Sequence, residues 1–249
     1  MSHRLSLGHL RAFFSAAIFM LLLPGCSTIP EETGVDHEQR IDNVPMYGQP
    51  EIPRPEFLKE ADANFIRDAA RKYDGDREVA SDAWAKKADR YIAQGELHYA
   101  MRRYNQAWLL DPGNYLAYWG FGRILLERDD LDGAVENFDT ALRLVDNDYE
   151  KVALLSDAGV AYSHAGYRAG LETPDQGASY FAKANQYFEQ STTMDPAYPN
   201  SWSRWAMSLH REGDYERAWE KVERAQSLDA RPFPYGFLDD LKARLEKSE

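Results

Sequence analysis

The chain has 249 residues, of which 44% are hydrophobic and 28% are charged, and its formal net charge at pH 7 is −12. A negative field of this size repels phosphate backbones and anionic lipid headgroups, which argues against nucleic-acid binding and against a basic membrane-docking face. Cys26 is the only cysteine, so an intramolecular disulfide is excluded and stability must come from packing.

Residues 1–25 have the three parts of a secretory signal peptide. The first eleven residues contain Arg4 and Arg11 but no acid, the next twelve are nearly all apolar, and Gly25 stands before Cys26. A membrane-spanning helix needs about 20 apolar residues, so an uncleaved anchor is the weaker interpretation. Removal of the signal would take away two cations and leave a formal charge of 27 − 41 = −14.

The tetrad Leu23-Pro24-Gly25-Cys26 resembles the lipobox of bacterial lipoproteins, in which the cysteine is acylated and becomes the new N-terminus. The resemblance implies lipidation of Cys26. In the Gram-negative lipoproteins that this chain resembles, a residue other than Asp after the cysteine goes with sorting to the outer membrane, and here Ser27 follows. We therefore expect a lipid-anchored protein at the periplasmic face of the outer membrane. The alternative is an ordinary signal peptide followed by a thiol.

Residues 26–55 are predicted to form a flexible, proline-rich tether. The segment contains five prolines and no run of apolar residues at helical or strand spacing. The 29 residues after Cys26 would reach roughly 90 Å when fully extended and about 30 Å as a flexible coil. The folded part would then stand clear of the membrane.

Residues 56–75 are predicted to form one amphipathic helix, with Pro55 at its start and Gly75 past its end. Apolar residues recur there at every fourth position: Phe57, Ala61, Phe65, Ala69 and Tyr73.

Residues 76–249 repeat themselves at an offset of 34. The first copy contains Trp84, Ala88, Tyr91, Ala100, Tyr104 and Ala107, and the second contains Tyr118, Gly122, Leu125, Ala134, Phe138 and Ala141. The third copy contains Leu155, Gly159, Tyr162, Ala184, Phe188 and Ser191, and the fourth contains Trp202, Ala206, Leu209, Ala218, Val222 and Ala225. Thirteen extra residues, 167–179, separate the two halves of the third copy.

This pattern resembles the tetratricopeptide repeat (TPR), and the resemblance implies an all-α, right-handed superhelix of about four helix-turn-helix repeats. An additional helix precedes the repeats and a capping helix follows them. The expected repeats are 81–114, 115–148, 152–198 and 199–232, and the expected capping helix is 234–247. In the third repeat, Thr173 and Gln176 have capping-box spacing, so we expect its second helix to begin at Pro174 after a short loop at 167–172.

No catalytic motif is found in the sequence, and neither an enzyme nor a cofactor is expected. Three of the six histidines fall in three different repeats without metal-ligand spacing, and the glycines do not form a phosphate loop. The expected partners are therefore proteins or peptides of the cell envelope, besides the membrane reached through the lipid, and neither nucleic acid nor a small-molecule substrate is expected.

The candidate site is a peptide-binding groove on the inner face of the first helices. It is predicted from positions that point away from the packing stripe: Trp119, Arg123, Ser156, Asn200, Ser203, Met207 and His210. Trp119 is either a groove anchor or an additional packing aromatic. The sequence predicts a membrane-tethered periplasmic scaffold for assembly of an envelope complex. The alternative function is an adaptor for peptidoglycan enzymes or envelope proteases.

Overall fold

Apolar side chains spaced three and four residues apart fold into ten α-helices within residues 41–248, the part of the chain that the computed structural model describes. The helices are α1 (Glu56–Arg71), α2 (Arg77–Ala93), α3 (Leu97–Leu110), α4 (Tyr115–Glu127), α5 (Leu131–Leu144), α6 (Asp148–Gly170), α7 (Pro174–Met194), α8 (Pro199–Glu212), α9 (Tyr215–Ser227) and α10 (Phe237–Ser248). These residues form no strand, and the predicted all-α fold is confirmed.

Four helical hairpins make up the repeats: α2 with α3, α4 with α5, α6 with α7, and α8 with α9. Several first helices start at an Asp or Asn that caps free backbone amides, as Asp76 does for α2 and Asn147 for α6. Each hairpin leaves an apolar side uncovered, so the hairpins stack and share continuous core clusters. The result is a TPR superhelix.

Close contact between hairpin helices depends on the small residues of the repeat pattern. A Cβ added to Gly122 would lie 3.0 Å from the Phe138 ring, and one added to Gly159 would lie 2.8 Å from the Phe188 ring. Both rings are fully buried, so neither has room to move away. The small position therefore lets an aromatic side chain of the second helix lie directly on the first helix.

The insert 167–179 lengthens the third hairpin and does not form a loop of its own. Its first residues continue α6 to Gly170, and α7 begins at the predicted Pro174, so the turn is only 171–173. The expected loop at 167–172 is therefore wrong, and the Thr173 side chain makes no capping hydrogen bond. The two helices approach so closely here that a Cβ on Gly177 would lie 2.5 Å from the Gly170 Cα. Glycine at position 177 therefore permits the contact.

Helices α1 and α10 cover the two ends of the stack. Leu241 of α10 is fully buried against the last hairpin, and Ala69 of α1 packs beside Leu110 of α3. The predicted apolar face of α1 is wrong at Phe57, which is 73% exposed. Ala61 of the predicted face is also exposed, whereas Phe65, Ala69 and Tyr73 pack against the stack as predicted, together with Ile66.

Residues Ile41 to Arg54, which we call the N-terminal strap, are packed against the repeats. Two short 3-10 turns, Ile41–Asn43 and Pro45–Gly48, lie against α3, and Tyr47 is buried. The predicted tether of residues 26–55 is therefore too long at its carboxyl end. Specific hydrogen bonds hold the strap, whereas composition alone indicated a flexible segment.

The predicted signal peptide 1–25 and Cys26 lie outside the described residues. Between residues 41 and 248, no helix combines the length and the apolar character that crossing a membrane requires.

Candidate functional site

The first helices α2, α4 and α6 line a groove that contains two neighbouring cavities of about 410 Å³ and about 290 Å³. Both volumes are near or within the range of protein ligand sites. Arg123 lines both cavities, so they meet at this side chain. Trp119 lines the larger one, which we call the aromatic cleft. Of the seven predicted groove residues, Trp119 and Arg123 are the two that line these cavities.

Trp119 takes part in both packing and the groove surface. It is half-buried, and one side packs against the core cluster that contains Leu125 and Leu154. Its indole N–H donates to Asp157 Oδ2 at 2.8 Å, which fixes the ring while part of it faces the aromatic cleft. The residue is therefore held rigidly before any ligand arrives, which reduces the entropy lost on binding.

Arg123 belongs to a hydrogen-bonded group on the floor of the groove. Its Nη1 donates to Asp89 Oδ1 at 2.9 Å, and the Tyr104 hydroxyl donates to the same oxygen at 2.7 Å. Burial, followed by the charge of Asp89, raises the pKa of Tyr104, so the phenol stays a neutral donor. A Cβ added to Gly120 would lie 2.1 Å from the Tyr104 ring, so only glycine leaves room for this arrangement.

Asp157 joins three helices from the other side of the groove. Besides the Trp119 indole, it accepts a hydrogen bond from Arg204 Nη1 at 2.6 Å. The same nitrogen donates to Ser156 Oγ at 3.2 Å. Ser156 has no exposed surface, so its prediction as a groove contact is wrong. It faces the interface between α6 and α8 and holds Arg204, because α8 stacks on this side of α6.

The carboxyl-terminal part of the predicted groove is used for internal contacts. Asn200 donates to the Tyr198 hydroxyl, and the Ser203 hydroxyl donates to a carbonyl of its own helix. The His210 Nε2 lies 2.7 Å from Asp240 Oδ2 of α10, and its ring packs beside Phe237. The capping helix therefore engages His210, and His210, Asn200, Ser203 and Met207 line neither cavity.

Sequence reasoning missed several residues that line the aromatic cleft. Tyr149, in the first turn of α6, is 87% exposed, and Tyr198 lies just before α8. Lys86 lies at the rim, is exposed, and makes no ion pair with any residue from 41 to 248. The two tyrosines lie at or just before helix starts, outside the helix positions from which the groove was predicted.

The groove presents a shaped surface with hydrogen-bonding groups. Two of its acids, Asp89 and Asp157, already accept hydrogen bonds from Arg123 and Arg204. Across residues 41–248, no three His, Cys, Asp or Glu side chains come together in a way that could hold a metal ion.

Comparison with known proteins identifies the fold. No protein-family model matches the chain, and no curated protein matches it. Among solved structures, a thermophilic TPR protein of Thermus thermophilus is similar, with 20% identity, a TM-score of 0.53, and coverage of 68% of this chain and 89% of that one. The Cut9–Hcn1 hetero-tetramer of the APC/C is similar over 77% of this chain and 34% of that one, with 16% identity and a TM-score of 0.51. These similarities show a TPR fold.

Proposed function

We propose that the protein is a membrane-tethered periplasmic scaffold whose groove binds a segment of a partner protein during assembly of an envelope complex. The lipobox-like tetrad that ends at Cys26 supports the tether, and Ser27 after it supports the outer-membrane location. A TPR superhelix supports protein recognition, because its stacked hairpins form an extended inner surface.

The observation that carries the proposal is the aromatic cleft. It places the apolar surfaces of Leu116, Trp119 and Ala153 beside polar groups that are already hydrogen-bonded. A peptide with a large apolar side chain would bury that side chain against Trp119. Aromatic residues in a preformed pocket are the usual anchors of protein interfaces. Asp89 and Asp157 already accept hydrogen bonds within the protein, so binding beside them need not desolvate an unpaired carboxylate.

Two experiments test the two parts of this function. Metabolic labelling with a fatty acid tests the tether: the wild-type chain should take up the label and Cys26→Ser should not. Crosslinking in intact envelopes followed by pull-down of the lipidated protein tests the scaffold, and we expect components of an envelope assembly to be recovered. Recovery of peptidoglycan enzymes or envelope proteases in their place would favour the adaptor function. A wild-type chain without label would refute the lipid anchor.

A further inference from the structure

The N-terminal strap lies on a different surface from the groove. It packs on α3, a second helix of a hairpin, whereas the two cavities are lined mainly from the first helices α2, α4 and α6. No residue of the strap lines either cavity.

Asn105 of α3 holds the strap through its backbone. Its side-chain Nδ2 donates to the carbonyl oxygens of Asp42 at 3.2 Å and Val44 at 2.8 Å, and its Oδ1 accepts from the Tyr47 amide at 3.3 Å. Asn105 has no exposed surface. The strap supplies all three hydrogen-bond partners of this buried amide side chain. Asn105 is therefore a specific attachment point, because its amide would lose these partners if the strap came away.

Charged side chains secure both ends of the strap. Arg128, at the end of α4, donates to the carbonyl oxygen of Asn43 at 2.7 Å and to its side-chain Oδ1 at 2.6 Å. Arg54 forms a two-point ion pair with Asp62 of α1, at 2.6 and 2.7 Å, and its guanidinium lies 4.0 Å from the centre of the Tyr47 ring. Bidentate arginine contacts of this kind fix orientation as well as position.

The backbone of the strap needs this support. Met46 and Tyr47 both have left-handed backbone angles, with φ of 51° and 56°. Residues with a side chain avoid this conformation unless the surrounding structure holds it. The turn is therefore formed against α3.

We infer that the N-terminal strap is a docked segment that sets where the membrane anchor leaves the repeat domain and how far the domain can stand from the bilayer. The inference rests on the lipidation of Cys26 in the proposed function. Fourteen residues separate Cys26 from Ile41. They reach at most roughly 50 Å, compared with roughly 90 Å for a tether that runs to Pro55. The anchor thus leaves from the α3 side, and the aromatic cleft lies on another surface that partner proteins can reach.

Amide hydrogen exchange in the full chain tests the docked strap. Asn105→Ala should speed exchange of the Tyr47 amide by at least about tenfold while the amides of α4 to α9 stay protected. Asn137→Ala is the matched control, since Asn137 is also a buried asparagine but bonds only to a carbonyl of its own helix, and it should leave the Tyr47 amide slow. A Tyr47 amide that exchanges freely in the wild-type chain would overturn the docked strap.

Energy transfer to the bilayer tests the reach. Lipidated protein carries a donor dye at Lys59→Cys, an exposed site on α1, in phosphatidylethanolamine–phosphatidylglycerol vesicles with acceptor headgroups. Transfer should fall at least about twofold when Asn105→Ala and Arg128→Ala are added together, since both side chains hold the strap, and stay unchanged with Asn137→Ala. Equal transfer in all three proteins would overturn the proposed reach. A chain that never takes up fatty acid would instead refute the lipid anchor, a result that labelling alone identifies.

Discussion

The amino-terminal and carboxyl-terminal halves of the predicted groove differ in what their side chains contact. Around Trp119 and Arg123, hydrogen bonds hold side chains in place and leave two cavities open. Around His210, the capping helix supplies Asp240 and Phe237 and uses the same kind of position for internal packing. The position within a repeat thus indicates a face of the superhelix, while the neighbouring elements decide whether that face is open.

The largest effect is expected at Gly120, where the floor of the amino-terminal half, which we call the open half, meets the core. Gly120→Ala should lower the free energy of unfolding by about 3 kcal/mol, because the new methyl group would collide with the buried Tyr104 ring. Alanine normally stabilises a helix relative to glycine by about 0.5–1 kcal/mol. A lowered free energy of unfolding would therefore indicate the collision, and a raised one would contradict it. Gly170→Ala, where the nearest atom is 3.8 Å away, is the control and should not destabilise the fold. Thermal unfolding measures both.

A second prediction compares partner binding when each half of the groove is changed. Ala153→Arg places a long side chain in the aromatic cleft and should reduce partner recovery at least tenfold, or about 1.4 kcal/mol, with an unchanged melting temperature. Met207→Arg, a similar change in the carboxyl-terminal half outside both cavities, should leave recovery unchanged. If the two variants behave alike, the distinction between the halves is wrong.

Arg123 gives a smaller effect that concerns the ion pair in the open half. Arg123→Gln should cost less than about 1 kcal/mol of stability, because the Arg123 and Asp89 side chains are 36% and 46% exposed and solvent screens their pair. Chemical denaturation measures this cost. A loss of several kcal/mol would mean that the pair supports the fold rather than the groove surface.

The smallest effect is the pH dependence of stability in the carboxyl-terminal half, which the capping helix closes. The hydrogen bond from His210 lowers the pKa of Asp240 below its ordinary value of 3.8, with Arg244 as a further cause. A lowered carboxyl pKa stabilises the fold above the unfolded-state pKa, and this contribution is lost as the pH falls through the lower folded-state pKa. Asp240→Asn should therefore make α10 less sensitive to acid below about pH 4, as followed by amide exchange, whereas Asp239→Asn should not.

The repeat register explains how much of the fold the sequence could predict. A constant offset of 34 residues places Gly122 against Phe138 and Gly159 against Phe188, contacts that are local within one hairpin. The repeat register does not show which groove positions face an open cavity and which face a neighbouring helix. Ser156 was assigned to the groove from its position alone, and only the stacking of α8 on α6 shows that it is buried.

Contacts between distant parts of the chain account for the rest. The N-terminal strap depends on hydrogen bonds from Asn105 to residues about 60 positions earlier, and proline content carries no information about such contacts. Asp157 is central to the groove because Trp119 and Arg204 reach it from two other helices.

Site-specific photocrosslinking in intact envelopes tests the central claim most directly. A photoreactive amino acid replaces Tyr149, which is 87% exposed at the aromatic cleft, or Tyr235, which is fully exposed between α9 and α10 and lines neither cavity. We expect crosslinks to a discrete partner protein from position 149, their loss with Ala153→Arg, and no such product from position 235. Equal products from both positions, or none from position 149, would contradict a partner-binding groove at Trp119.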